Sequence, residues 1–150
     1  RMRPDRIIVG ECRGKEAFDM LQAMNTGHDG SLTTLHANGT KDALNRLETM
    51  VLMSGLEIPV KAIREYITNA LDLVVNVERM ADGKRKITDI SEVIGLKNDE
   101  IELKPIFEFI QKGITPTGEV DGEFILNKRK PNVLDKIKSR GILDIEEIFK

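Results

Sequence analysis

The chain has 150 residues, enough for one domain or for a core domain with a small appendage. Hydrophobic residues make up 40% and charged residues 32% of it, which is ordinary for a globular protein and argues against widespread disorder. A formal net charge of −2 gives no broad basic surface, so the composition argues against nucleic acid as a partner.

Cysteine usage and hydropathy set two further limits. Cys12 is the single cysteine, so an intrachain disulfide is excluded and a reducing compartment, the cytoplasm, is expected. No apolar stretch approaches the roughly 20 residues that a membrane-spanning helix needs. We therefore expect no direct membrane insertion, and any membrane contact to be peripheral and made through a partner.

The first half of the chain alternates between strand and helix patterns. In chain order, these are a strand at 7–9, a helix at 14–25, a strand at 31–36, a helix from 40 to 55 and a helix from 59 to 71. Thr40 offers a side-chain oxygen that could cap the second helix, and Pro59 suits the first turn of the third. This rhythm predicts an α/β fold.

From Leu73 onward, strand patterns dominate. Strands are predicted at 73–77, 86–94, 101–109 and 123–127, with turns at Asp82-Gly83 and Asn98-Asp99 and a helix at 131–139. The first of these strands reads as a buried run, and Pro105 places the third at a sheet edge. We therefore predict a core at residues 1–77 and a β-hairpin-rich appendage with a C-terminal helix, packed on the core, at 78–150.

A lone carboxylate follows the first apolar strand. Glu11 comes directly after Ile7-Ile8-Val9-Gly10, where a buried strand of an α/β nucleotide-hydrolysing domain delivers an acid to the edge of its sheet. Such a carboxylate can orient and deprotonate a water in line with a terminal phosphate. The alternative is an ordinary strand-end acid that faces solvent.

Two histidines follow, one on each side of the next strand. His28 lies in a glycine-flanked turn and His36 near the end of the strand, so both could converge on the edge where Glu11 emerges. An imidazole there can donate to a phosphate oxygen and report whether it is present. The alternative is a pair of structural histidines held by hydrogen bonds.

Other reactive residues have weaker signals. Arg13 could hold a phosphate or a carboxylate bidentately, but surface arginines near a helix start are common. Cys12 with the two histidines fits no standard zinc spacing, so no metal site is predicted, and a small buried side chain is expected instead. No G-x-x-x-x-G-K-[ST] phosphate loop occurs in the sequence, so we expect a fragment of a larger protein.

Two segments resemble the secretion and pilus-assembly ATPases of type II and type IV systems, most closely the tight-adherence (Flp) pilus branch. The Walker B segment of that family is similar to residues 3–14 (RPDRIIVGECRG), although valine is more usual where Cys12 stands. Its histidine box is similar to residues 24–38 (MNTGHDGSLTTLHAN). The similarity continues through 46–50 and 62–65, and more weakly to the C-terminus.

The resemblance implies part of a RecA-like, P-loop NTPase lobe that lacks its Walker A part, from a hexameric ATPase bound to inner-membrane platform proteins on the cytoplasmic face. It implies Glu11 as the catalytic carboxylate and His28 and His36 as histidines that sense nucleotide state. ATP and Mg²⁺ are implied for the parent protein, whereas the fragment alone is expected to bind no cofactor and to be inactive.

Two other functions stay open. One is a type IV secretion ATPase that exports proteins or DNA, which is a neighbouring branch of the same family. The other is a non-catalytic assembly or interaction module in which Glu11 and the histidines are structural remnants.

Overall fold

The computed structural model describes residues 2–142 and 144–149, and these form two units. The first unit runs to residue 72 and includes residues 95–102. The second runs from 73 to 94 and continues from 103 onward. The division therefore falls between Asp72 and Leu73, five residues before the predicted boundary, and the hairpin tip at 95–102 belongs to the first unit. The α/β class predicted from the sequence is confirmed.

The first unit holds two parallel strands and three helices. In chain order, they are β1 (Ile8–Val9), α1 (Glu16–Asn25), β2 (Leu32–Thr33), α2 (Thr40–Leu52) and α3 (Val60–Ala70). β1 and β2 pair with Ile8 opposite Leu32 and Val9 opposite Thr33. Their pairing continues beyond the regular strands, because the Cys12 amide donates to the Thr34 carbonyl at 2.8 Å. Parallel alignment brings the carboxyl ends of both strands to one edge.

Apolar side chains at helical spacing hold the three helices together, and α1, α2 and α3 all contact one another. The buried positions are Ala17, Met20, Leu21 and Met24 of α1, Ala43, Leu44, Leu47, Met50 and Val51 of α2, and Ile63 and Ile67 of α3. Burying this surface is the main favourable contribution to folding of the unit.

The start of α2 differs from the prediction. Thr40 is the first helical residue rather than the cap, and no side chain caps this helix. Gly39 occupies the cap position in an extended backbone, and its carbonyl accepts a hydrogen bond from the Ala43 amide at 2.9 Å. The chain therefore enters α2 through a glycine, so the backbone here carries no side-chain bulk.

The second unit is built on an antiparallel sheet with the strand order β3-β4-β5-β6. Its elements are β3 (Leu73–Arg79), β4 (Arg85–Lys97), β5 (Glu100–Ile114), β6 (Val120–Leu126), α4 (Val133–Ser139) and a 3-10 helix (Asp144–Phe149). The predicted turns are confirmed: Gly83 has a φ of +79°, and Asn98 and Asp99 have φ values of 52° and 63°. Two left-handed residues in succession are typical of a tight hairpin turn.

Two predictions about these strands are wrong. β5, which contains Pro105, has a neighbour on each side instead of lying at the sheet edge. β6 pairs only with residues 107–114 of β5, so proline stands outside the part of the strand that β6 covers. The run 73–77 is not buried, because Leu73, Val75 and Val77 are 40%, 50% and 55% exposed.

One buried charge holds α4 in the second unit. Glu92 of β4 is 2% exposed and forms an ion pair with Arg129. Its other oxygen accepts a hydrogen bond from the Val133 amide, the first of α4, at 2.7 Å. The carboxylate therefore has a partner on each oxygen, as a buried charge requires.

A glycine of β6 lies beneath an aromatic ring of β5. A Cβ added at Gly122 would stand 2.5 Å from Cζ of Phe109 and 2.6 Å from the Ile110 carbonyl oxygen. Phe109 also contacts the Phe124 ring, with centroids 5.2 Å apart, and Lys86 Nζ lies 4.7 Å from the centroid of the Phe109 ring.

Across residues 2–142 and 144–149, no helix is long and apolar enough to cross a membrane.

Candidate functional site

Glu11 lies where the chain leaves β1, and its side chain is 25% exposed. The strand edge around it is fixed by backbone contacts with the segment after β2. Thr34 Oγ1 donates to the Gly10 carbonyl at 2.6 Å, next to the Cys12 to Thr34 hydrogen bond. These contacts on each side of Glu11 determine where its carboxylate can reach.

Arg13 forms the strongest interaction of this carboxylate. Its Nη2 lies 2.5 Å from Glu11 Oε2. The hydrogen bond from Arg13, followed by the charges of Arg13, His36 and Arg46, outweighs partial burial and lowers the pKa of Glu11. Glu11 is therefore ionised at neutral pH, and Arg13 contacts it through Nη2 while the Arg13 side chain stays 73% exposed.

His36 approaches the other oxygen of Glu11. Its Nε2 lies 3.2 Å from Glu11 Oε1, while its own side chain is 82% exposed. Among the described residues, Oε1 is buried and accepts no hydrogen bond. It is therefore an ionised acceptor with spare hydrogen-bonding capacity.

His28 lies elsewhere. Its Nδ1 is 3.0 Å from the carbonyl oxygen of Ala23 near the end of α1, and its backbone carbonyl accepts a hydrogen bond from the Ser31 hydroxyl at 2.7 Å. The structure thus brings Glu11, Arg13 and His36 together but does not bring His28 to them. The turn at Gly27, where φ is +91°, directs His28 toward α1 instead.

The loop after Glu11 is held by Glu16, which the sequence analysis missed. Its Oε1 accepts hydrogen bonds from the Arg13 amide at 2.7 Å and the Gly14 amide at 3.0 Å. The hydrogen bond from the Arg13 amide is the largest cause of the lowered pKa of Glu16. An acid in the first turn of α1 was the available signal, because carboxylates there pair with free amides.

Cys12 is a buried apolar side chain, as expected. It is 1% exposed, and its Sγ lies 3.7 Å from Met50 Sδ. Burial is the main cause that raises the pKa of the thiol. Within the described ranges, no group of three or more His, Cys, Asp or Glu side chains could hold a metal ion.

An open cleft of about 430 Å³ lies beside His36 at the start of α2. Its lining residues are His36, Ala37, Asn38, Asp42 and Arg46. Arg46 Nη1 donates to the His36 carbonyl at 2.8 Å. Asn38, Asp42 and Arg46 were not predicted as site residues. They lie beside His36 because the chain turns there into α2.

Comparison with known proteins matches residues 1–103 to the family described as type II/IV secretion system protein. The chain is 39% identical over 102 residues to conjugal transfer protein TrbB of Rhizobium radiobacter, covering 68% of this chain and 30% of that protein. It is 38% identical over 96 residues to type IV secretion system protein VirB11 of Brucella suis, covering 62% and 26%.

One solved structure of a type IV secretion ATPase is also similar to this chain. The chain is similar to the crystal structure of the VirB11 ATPase from the Brucella suis type IV secretion system in complex with sulphate, with a TM-score of 0.57 and 34% sequence identity. The similarity covers 61% of this chain and 30% of that one, so the chain spans less than a third of the relatives it matches. This chain belongs to the type II/IV secretion system protein family.

Proposed function

We propose that this chain is part of a secretion ATPase and that Glu11 activates the water that attacks the terminal phosphate of ATP. The observation that carries the proposal is the Glu11 carboxylate, ionised at the common edge of β1 and β2, with one buried oxygen that accepts no hydrogen bond from the part of the chain that the structure describes. Because this oxygen is closed to bulk solvent, we propose that the water it binds is one that the completed site admits, and that it accepts a hydrogen bond from that water.

The neighbours of Glu11 divide its two oxygens between them. Arg13 holds Oε2 and fixes the orientation of the carboxylate, while Oε1 faces His36 Nε2. In this arrangement, His36 donates to a phosphate oxygen beside the cleft, and Arg46 holds the backbone of His36 in place. A lowered pKa keeps Glu11 ionised, so it can orient the water and take up its proton as the bond to phosphorus forms.

The residues present fit the terminal-phosphate end of a nucleotide. The cleft combines His36, Asn38 and Arg46, which are donors suited to anionic oxygens, with Glu11 beside it. ATP with Mg²⁺ supplies the phosphoanhydride bond and neutralises charge on the phosphates. Because the sequence has no glycine-rich phosphate loop, we propose that a RecA-like lobe containing one completes the site and that this chain alone does not hydrolyse ATP.

The assembly is proposed at the level of the larger protein. We propose a homohexamer on the cytoplasmic face of the inner membrane, held there by platform proteins, with residues 1–77 as part of the ATPase core and 78–150 as its appendage. His28 remains a proposed sensor of nucleotide state that acts through α1. Relatives named for conjugal transfer and type IV secretion favour export of protein or DNA over the Flp pilus branch.

The test compares Glu11→Gln with wild type in the larger protein that contains this chain. We expect steady-state ATP hydrolysis to fall by about a hundredfold or more, because losing a positioned base costs roughly 10²–10⁴ in rate. ATP affinity, measured separately by equilibrium binding, should change little. Equal turnover in the two proteins would remove Glu11 from this role.

Glu57→Gln is the matched control. Glu57 is an exposed carboxylate before α3, outside the candidate site, so its substitution should leave hydrolysis unchanged. If the larger protein binds its assembly partners but hydrolyses no ATP in either form, the non-catalytic interaction module is the better description.

A further inference from the structure

Arg64 of α3 joins three separate segments of the first unit. Its Nε and Nη2 lie 2.7 and 3.3 Å from the two carboxylate oxygens of Glu48 on α2. Its Nη1 donates to the backbone carbonyl of Asp99, in the turn between β4 and β5, at 2.7 Å. The side chains of Arg64 and Glu48 are only 28% and 16% exposed, so solvent screens this pair less than a surface ion pair.

The turn that Arg64 holds has a defined shape. Asn98 and Asp99 both have positive φ values, a conformation that fixes the tip of the hairpin. Arg64 contacts the main chain of this turn rather than a side chain. Lys61 adds an exposed ion pair, with its Nζ 3.0 Å from Asp99 Oδ1. Lys41 of α2 also lies 3.9 Å from Glu100 of the tip, but both side chains are 74% exposed, so Arg64 makes the better-shielded link between α2 and the tip.

The same helix that carries Glu48 also contacts the candidate site. Arg46, two residues before Glu48 on α2, donates to the His36 carbonyl beside the cleft. α2 is thus hydrogen-bonded to the His36 carbonyl through Arg46 and to Arg64 through Glu48. A helix moves largely as a rigid element, so these two attachments move together.

We propose that Arg64 couples the position of α2 at the cleft to the tip of the β4–β5 hairpin, residues 95–102. A displacement of α2 either carries Arg64 and the turn with it or breaks a bidentate, charge-assisted contact. A movement of α2 at the cleft would therefore change the position of residues 95–102. This inference goes beyond the proposed function and does not depend on the chemistry of Glu11.

Hydrogen exchange in the protein that contains this chain tests the coupling. Arg64→Gln should speed amide exchange within residues 95–102 by about tenfold, because it removes the charge-assisted hydrogen bond to the Asp99 carbonyl and the ion pair with Glu48 that positions it. Arg46→Gln should speed exchange of the same amides by about fivefold when Arg64 is present. In an Arg64→Gln background, Arg46→Gln should add no further change.

Two variants control for folding and for local charge. Lys61→Gln removes the other α3 cation at Asp99 and should change exchange less than twofold, since exposed ion pairs contribute little. Arg64→Lys keeps the charge without the guanidinium fork and should lie between wild type and Arg64→Gln. The coupling is overturned if Arg46→Gln leaves residues 95–102 unchanged, or changes them equally in both backgrounds. ATP turnover is not the readout, so this result is independent of the hydrolysis test.

Discussion

At the scale of single residues, Glu11 shows how a carboxylate can be held charged yet keep one oxygen free. Arg13 contacts Oε2 at 2.5 Å, and the imidazole of His36 lies 3.2 Å from Oε1. The backbone on each side is fixed by Gly10 and Cys12, which bond to Thr34. The position of this acid is thus set by strand pairing, whereas its ionisation is set mainly by Arg13.

Arg13→Gln should raise the pKa of Glu11 toward the ordinary value of a glutamate, because the hydrogen bond from Arg13 is the largest cause of its depression. Ionised Glu11 stabilises the folded state above its unfolded-state pKa, and this stabilisation is lost as pH falls through the folded-state pKa. Arg13→Gln should therefore weaken the pH dependence of stability in the acidic range. Carboxyl NMR titration together with unfolding at several pH values measures both effects.

Lys15→Gln serves as the control for this titration. Lys15 is exposed two residues farther on and is not among the causes of the shifted pKa of Glu11. An unchanged Glu11 titration in Arg13→Gln, or an equal change in Lys15→Gln, would contradict the assignment.

At the scale of elements, the stability of the first unit depends on which face of each helix is buried. α2 offers two methionines for comparison. Met50 is 3% exposed and contacts Cys12, whereas Met53, the residue that follows the last turn of α2, is 72% exposed.

Met50→Ala should lower the free energy of unfolding by about 3 kcal/mol, the cost of a cavity where a buried methionine stood. Met53→Ala should change it by less than about 0.5 kcal/mol, since an exposed side chain has little packing to lose. Urea unfolding, followed by helical circular dichroism, gives both values. Equal effects would mean that burial at the two positions has been assigned wrongly.

Helices and turns were predictable because their signals are local. The apolar spacing of α1, α2 and α3, and the turn pairs Asp82-Gly83 and Asn98-Asp99, are properties of neighbouring residues. Strand neighbours are not local, which is why Pro105 was placed at an edge and the run 73–77 was placed in the interior.

The candidate site was predictable where it depends on the direction of the strands, and not where it depends on the path of a loop. Glu11 and His36 follow from parallel strands that end at one edge, a rule that needs no coordinates. Arg46 and Asn38 join them only through the path of the chain into α2, and Glu16 only through a loop that folds back on α1. His28 was expected beside Glu11, but a left-handed glycine turns the chain before it.

At the scale of the whole molecule, each unit has its own source of stability. The first relies on helix packing, whereas the second includes the buried carboxylate of Glu92. The chain spans less than a third of the length of the relatives it matches.

Glu92→Ala should lower the stability of the second unit by about 3 kcal/mol, because it leaves Arg129 without its partner and the first amide of α4 without an acceptor. Amide exchange across β4 and β6 is the measurement. Glu123→Ala, which removes an exposed ion pair with Lys112, should leave exchange nearly unchanged. Comparable losses in the two variants would show that the Glu92 contacts carry no special weight.

The absence of a side chain at Gly122 has a consequence for how β6 can align. A slip of β6 by one residue along β5 would bring Asp121 or Glu123 under the ring of Phe109, where not even a methyl group fits. The same slip would turn every side chain of β6 to the opposite face of the sheet. Because Gly122 has no β-carbon, β6 can pair with β5 in the observed register. A shift of one residue in either direction would place a side chain against the Phe109 ring.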